Sequence, residues 1–112
     1  MKLTSILGSI FFLILIALVS GIFQYKMIAI GSDSMNPVYE RGDAVIYEKK
    51  NAQQIKKGDI LVFKRNQMVV THRVQEVIQK NHQLFFQTKG DHNEKTDSVL
   101  VSQEDVLGTV QY

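Results

Sequence analysis

Ser32, Ser34 and His72 are the side chains of this sequence whose types and setting could carry nucleophilic chemistry. A serine hydroxyl is a weak nucleophile at neutral pH and needs a base within hydrogen-bond reach. Histidine suits that task because its unperturbed pKa of ~6.5 lies near working pH. A carboxylate on the far ring nitrogen would then fix the tautomer and stabilise the imidazolium that forms. Ser32 and Ser34 lie in Ile30-Gly31-Ser32-Asp33-Ser34-Met35-Asn36-Pro37, which holds the only proline of the chain. Pro37 fixes its own φ and biases Asn36 away from helix, so the run reads as a rigid extended or turning segment. Side chains two apart on an extended chain point the same way, and Ser32 and Ser34 are expected to face one site. On a strand over Met68–Ile78, Val70, His72, Val74 and Glu76 share one face, and Val69, Thr71, Arg73, Gln75 and Val77 the other. From these residues alone, a polar loop and a half-buried structural histidine stay open as alternatives.

Other chemistries find little support. There is no cysteine, which excludes a disulfide framework, thiolate metal sites and a cysteine nucleophile. His82 falls in an expected hairpin turn and His92 in a polar run, and no H-E-x-x-H pair or similar ligand spacing exists, so no metal and no cofactor are expected. The net charge is +2, from 13 Lys+Arg against 11 Asp+Glu scattered through the body. That pattern makes neither a basic stripe nor a stacking platform, and nucleic acid is not an expected partner.

The elements that would position these residues begin with an apolar N-terminus. A helix spans the bilayer core with ~20 apolar residues. Leu3 to Tyr25 carries no charge, Ile6–Phe23 is apolar almost throughout, and Lys2 and Lys26 flank the run. Tyr25 and Phe23 suit the interfacial zone. A cleavable signal has a shorter apolar region and a small-x-small site. Val19-x-Gly21 is a poor version of that site, and Ile22 and Phe23 continue the apolar run past it. Residues 1–26 are therefore expected to be a permanent single-pass anchor in the cell membrane. The positive N-terminus favours a cytoplasmic start and an extracytoplasmic body.

After Tyr25 short β-branched and aromatic runs alternate with Gly, Asn and charged clusters, which predicts a mainly β body over residues 27–112. Expected strands are Met27–Ile30, Ala44–Glu48, Ile60–Lys64, Met68–Ile78, Leu84–Thr88 and Val106–Val110. Arg65-Asn66-Gln67 and Lys80-Asn81-His82 read as hairpin connections, and Asn51–Lys57 as a loop or short helical turn. Gly-Asp recurs at Gly42-Asp43, Gly58-Asp59 and Gly90-Asp91. The first two read as turns, since Gly permits positive φ and Asp can bond nearby backbone N–H groups.

Three segments and a closing strand, in order, resemble the type I signal peptidases. Ser34-Met35-Asn36-Pro37 is similar to the run that carries their catalytic serine, which the self-cleaving repressors of the DNA-damage response share. Thr71-His72-Arg73-Val74 resembles the endoplasmic-reticulum-type branch, found also in archaea and Gram-positive spore formers, where histidine replaces the lysine base. Thr88-Lys89-Gly90-Asp91-His92-Asn93-Glu94-Lys95-Thr96-Asp97 resembles that branch's Lys-Gly-Asp-Asn-Asn run with a second aspartate after it; His92 departs from the usual residue. Val106-Leu107-Gly108 is similar to the closing strand.

The resemblance implies a signal-peptidase-like β-domain behind one transmembrane helix, and a serine endopeptidase that removes signal peptides from exported preproteins. It implies Ser34 as nucleophile, His72 as general base and Asp97 as orienting carboxylate, with Asp91 as a supporting or alternative acid. Ser32 and the Ser34 amide are the oxyanion candidates. Asp33 stands where the family commonly has Gly, and alternation predicts that it points away from the site. The implied substrate is an extended peptide with small residues at the first and third positions before the bond, added as a strand to a protein edge. The expected partners are preproteins and membrane lipid; no oligomeric state is implied. Family members generally continue past the final matching strand, so a truncated form is expected. The rival from another class is a catalytically silent tethered β-domain that binds exported peptides or a partner subunit. A self-cleaving regulator fits less well, lacking its lysine base and an Ala-Gly site.

Overall fold

A computed structural model describes residues 2–112, with the backbone alone for residues 20–23. The readings of Gly21 in a cleavage site and of Phe23 as an interfacial ring fall on residues whose side-chain surroundings lie outside the description. A single helix, α1 (Leu3–Gln24), precedes seven strands: β1 (Tyr25–Ala29), β2 (Ala44–Glu48), β3 (Ile60–Arg65), β4 (Met68–Lys80), β5 (Gln83–Lys89), β6 (Val101–Ser102) and β7 (Val106–Val110). Short 3-10 turns cover Ala52–Gln54 and Gln103–Asp105.

The body is mainly β, one sheet in the order β1-β2-β7-β3-β4-β5-β6 with every pairing antiparallel. Leu61, Val62 and Phe63 of β3 are consecutive and fully buried, so this strand is covered on both faces. Leu61 and Phe63 join Ile55, Val74, Phe86 and Val101 in one cluster, with Val70, Val77 and Val106 packed against it. Burying such side chains contributes roughly 1.5–3 kcal/mol each.

Both expected hairpins form, but each loop has two residues rather than three. Asn66 and Gln67 have φ of 51° and 65°, and Asn81 and His82 have 52° and 63°. Positive φ at both central positions is the turn that matches strand twist, and asparagine tolerates it best. Gly42 and Gly58 both have φ of 94°. After each glycine the aspartate accepts a backbone N–H from three residues earlier, Glu40 to Asp43 at 2.8 Å and Lys56 to Asp59 at 3.0 Å.

The expected register of β4 holds only to Val74. A bulge between Val74 and Glu76 resets the pairing with β5. An extra residue turns every later side chain over. Glu76 is therefore exposed and Val77 packs on the core, reversing the alternation read above.

Helix α1 runs directly into β1 at Gln24–Tyr25 with no intervening loop. Its side chains are exposed from Leu3 to Val19, with Leu3 and Phe11 each 69% accessible. Among the described residues no helix is both long and apolar enough to cross a membrane. The helical side chains described are those of residues 3–19 and Gln24 of the 22-residue helix.

Candidate active site

The loop between β1 and β2 carries Ser32 and Ser34. Its two ends are tied together, the Ile30 N–H donating to the Asp43 carbonyl at 2.7 Å and the Gly42 N–H to the Ile30 carbonyl at 2.8 Å. Within the loop the Asn36 N–H donates to the Asp33 carbonyl at 3.1 Å, which makes residues 33–36 a turn rather than an extended run. The serines nevertheless face each other, with 2.9 Å between their hydroxyl oxygens. The Ser34 N–H makes a long 3.4 Å contact to Ser32 Oγ. Met35 is 1% exposed and anchors the loop, its Sδ accepting the Asp91 N–H at 3.5 Å.

His72 sits on β4 opposite Leu61 of β3, 9% exposed, with the edge of Phe63 against its ring. Its Nε2 lies 3.1 Å from Ser34 Oγ and its Nδ1 2.6 Å from Asp97 Oδ2. A carboxylate can only accept, so Nδ1 carries the proton and Nε2 is left to accept from the serine. Asp97 is held in turn by Thr88 of β5, whose hydroxyl donates to the same Oδ2 at 2.7 Å and whose carbonyl accepts the Asp97 N–H at 2.8 Å. The fold thus gathers Ser32, Ser34, His72 and Asp97 in one chain of contacts. Such an arrangement can withdraw a proton from a serine as its oxygen attacks a carbonyl. Thr88, 0% exposed, has no role in the sequence reading above. Its sequence signal is its place at the head of the Thr88–Asp97 run.

Asp91 lies apart from the imidazole contacts. It forms a two-pronged pair with Arg73, Nε to Oδ1 at 2.9 Å and Nη2 to Oδ2 at 2.8 Å, while Arg73 Nη1 donates to the Gly58 carbonyl at 3.0 Å. The pair ties the strand bearing His72 to the loop bearing Asp97. The hydrogen bonds from Arg73, helped by its charge and opposed by partial burial, hold the Asp91 carboxyl below its ordinary value. The same bonds raise Arg73. A depressed carboxyl stabilises the fold above its unfolded pKa of ~3.9, and that stability is lost as pH falls through the lower folded value. Asp91→Asn is expected to flatten the acid limb of an unfolding profile below about pH 4. An acid limb identical to the parent's would show that the pair does not couple to folding.

Gly90 marks the closest approach of the two loops. A Cβ built there would stand 2.6 Å from the Ser34 carbonyl oxygen and 3.0 Å from Ser34 Cβ. The His92 N–H donates to that same carbonyl at 2.8 Å, so the backbone cannot simply move away. Gly90→Ala is expected to displace Ser34 and lower kcat by about 100-fold, the usual cost of an ~1 Å misplacement, with a smaller change in KM. Unchanged steady-state kinetics would refute this coupling.

A groove of about 150 Å³ opens beside Ser34, lined by Ala29, Ile30, Gly31 and Ser32 on one wall and Met68–Thr71 on the other. Asp33 reaches Arg41 at 3.7 Å in an exposed pair and makes no bond to Ser34 or His72. Pairs this exposed contribute ~1 kcal/mol at most. His82 lies in the β4–β5 turn, and His92 contributes its backbone while its side chain is exposed. Among the described residues no group of three or more His, Asp or Glu is placed to hold a metal ion.

Residues 3–99 match the family described as signal peptidase, peptidase S26. Signal peptidase I W of Bacillus subtilis (strain 168) is 33% identical over 87 residues, covering 76% of this chain and 46% of the relative. Human signal peptidase complex catalytic subunit SEC11C is 34% identical over 95 residues, covering 76% and 50%. Signal peptidase complex catalytic subunit SEC11 of Candida tropicalis is 30% identical over 96 residues, covering 76% and 57%. The chain spans about half the length of the curated relatives it matches.

Proposed function

The chain belongs to the signal peptidase family, peptidase S26, and on that premise we propose that it is a membrane-anchored serine endopeptidase that removes signal peptides from exported preproteins. The observation that carries the reading is the unbroken run of contacts from Ser34 Oγ through His72 to Asp97, at 3.1 and 2.6 Å. In this reading Ser34 attacks the scissile carbonyl, and His72 takes its proton and returns it to the leaving amine. Asp97 keeps the imidazole in the tautomer that can accept. The Ser34 N–H and the Ser32 hydroxyl are the donors available to the oxyanion; their mutual contact of 3.4 Å is weak enough for an incoming oxygen to replace. Asp91 supports the loop through Arg73.

The groove of about 150 Å³ beside Ser34 has room for the small substrate side chain that the family resemblance implies. A peptide laid along it would meet strand edges on either wall and take main-chain bonds from them. Helix α1 forms the anchor, and the sheet from Tyr25 onward, which takes in Tyr25 and Lys26 of the expected anchor, forms the catalytic β-domain. Over its whole length α1 carries no charged residue from Leu3 to Gln24, and its 22 residues would extend ~33 Å at 1.5 Å each, against a hydrocarbon core of ~30 Å. The anchor is single-pass, with the β-domain on the extracytoplasmic side, at the level where a signal peptide leaves the lipid.

The test is cleavage by the full chain, reconstituted in vesicles, of a precursor with alanine at the first and third positions before the bond. The expected result is one cut at that bond. Phenylalanine at the first position is expected to reduce the rate by about 100-fold, since the family resemblance implies a small residue there. Binding without any cleavage would favour a silent peptide-binding domain.

A further inference from the structure

Two ammonium groups stand at the foot of the apolar helix without a carboxylate partner. The Gln24 carbonyl at the end of α1 accepts the Lys49 N–H at 2.9 Å, which joins the residue just beyond β2 to the helix terminus. Lys26 is paired in register with Tyr47. Residues two apart in extended chain share a side, so Lys26, Tyr47 and Lys49 face the same way. With Gln24, Val106 and Leu107 they line a concavity of about 350 Å³. Among the described residues neither lysine takes part in an ion pair. The acid between them, Glu48, pairs with Tyr25 and Thr109 and by alternation faces the opposite side.

A concavity with two lysines at the end of a helix whose Leu, Ile and Phe side chains are exposed from Leu3 to Val19 complements one kind of molecule: an anion tethered to hydrocarbon. The geometry points to a binding site for the headgroup of an anionic phospholipid, its phosphate between Lys26 and Lys49 and its acyl chains along α1. The inference rests on the reading of α1 as a membrane anchor. The end of α1 itself opposes an anion, because a helix C-terminus carries about half a negative charge. Two full positive charges outweigh it, and the Gln24 carbonyl is already engaged by Lys49. Lysines near an anionic lipid surface each add to its binding, so removing both charges predicts a loss of roughly tenfold in headgroup affinity.

The test uses the full chain in uncharged detergent micelles, titrated with phosphatidylglycerol or phosphatidylcholine, with bound lipid counted by native mass spectrometry. The expected result is a preference for phosphatidylglycerol that falls about tenfold in Lys26→Gln/Lys49→Gln and persists in Lys26→Arg/Lys49→Arg, with circular dichroism and peptide cleavage unchanged in both. Equal binding of the two lipids, or an unchanged preference in the glutamine variant, would overturn the site. So would displacement of the lipid by millimolar inorganic phosphate, which would mark a free-anion site instead. Alkaline carbonate extraction of the parent chain from vesicles separates the two ideas. Release into the supernatant defeats the anchor, and this site with it, whereas retention without a lipid preference defeats this site alone.

Discussion

Ser34→Ala is expected to abolish precursor cleavage while leaving the sheet folded. The substitution removes the hydroxyl that, among the described residues, meets His72 Nε2; Ser32 Oγ contacts Ser34 Oγ instead. Losing one member of a serine–histidine–carboxylate set lowers kcat by roughly 10⁴-fold or more, because no other group performs its covalent step. Stability should change little. Ser34 is only partly buried, and the lost hydrogen bonds, to Ser32 Oγ and the imidazole, are worth about 1 kcal/mol net each. The double variant Ser34→Ala/His72→Ala should be no slower than the single one, since groups acting as a unit are not additive. The measurement is single-turnover cleavage beside a thermal unfolding curve. Cleavage by Ser34→Ala within tenfold of the parent would sink the assignment.

The second large effect separates the two aspartates. Asp97→Asn keeps the shape of the side chain but allows its amide to donate to the ring, so Nδ1 can lose its proton to Nε2. A histidine in that tautomer cannot accept from Ser34, and kcat should fall by about 10⁴-fold with the fold intact. The Thr88 hydroxyl, which donates to the same Oδ2 that His72 contacts, would have to turn and accept from the amide nitrogen placed there. Asp91→Asn should behave differently. It breaks the two-pronged bond to Arg73 but touches neither Ser34 nor His72, so its cost falls first on stability and acid tolerance. Measuring kcat and unfolding midpoint for both variants gives opposite signatures. If Asp91→Asn were the catalytically dead variant and Asp97→Asn nearly normal, the carboxylate assignment would be reversed.

The strands were the most legible part of the chain. Ala44–Glu48 and Val106–Val110 coincide with their expected bounds, because β-branched residues between Gly and Asp punctuation leave few other choices. β6 escaped notice because two residues, Val101 and Ser102, give no alternation to detect. The bulge after Val74 escaped because Gln75 and Glu76 fit either register; only the pairing with β5 selects one. At the site, the proximity of Ser32 and Ser34 was anticipated from extended geometry, yet a turn produces it, and one proline does not distinguish these. Choosing between Asp91 and Asp97 needed a family resemblance, because both lie in one polar loop and their distances to His72 depend on how that loop folds back on Thr88. Arg73 was visible as a neighbour of His72, but its partner 18 residues away was not.

The junction of α1 with β1 has a mechanical consequence. With no loop between Gln24 and Tyr25, and the Lys49 N–H bonded across the seam, the height of the hydroxyl at residue 34 is tied to that of the helix. If the helix is seated in lipid, the enzyme works as a depth gauge: it cuts at one fixed height and ignores otherwise acceptable bonds above or below it. Four glycines spliced in at the seam should blur that height, so that a ladder of precursors with progressively longer spacers, normally cut at a single length, is cut at several.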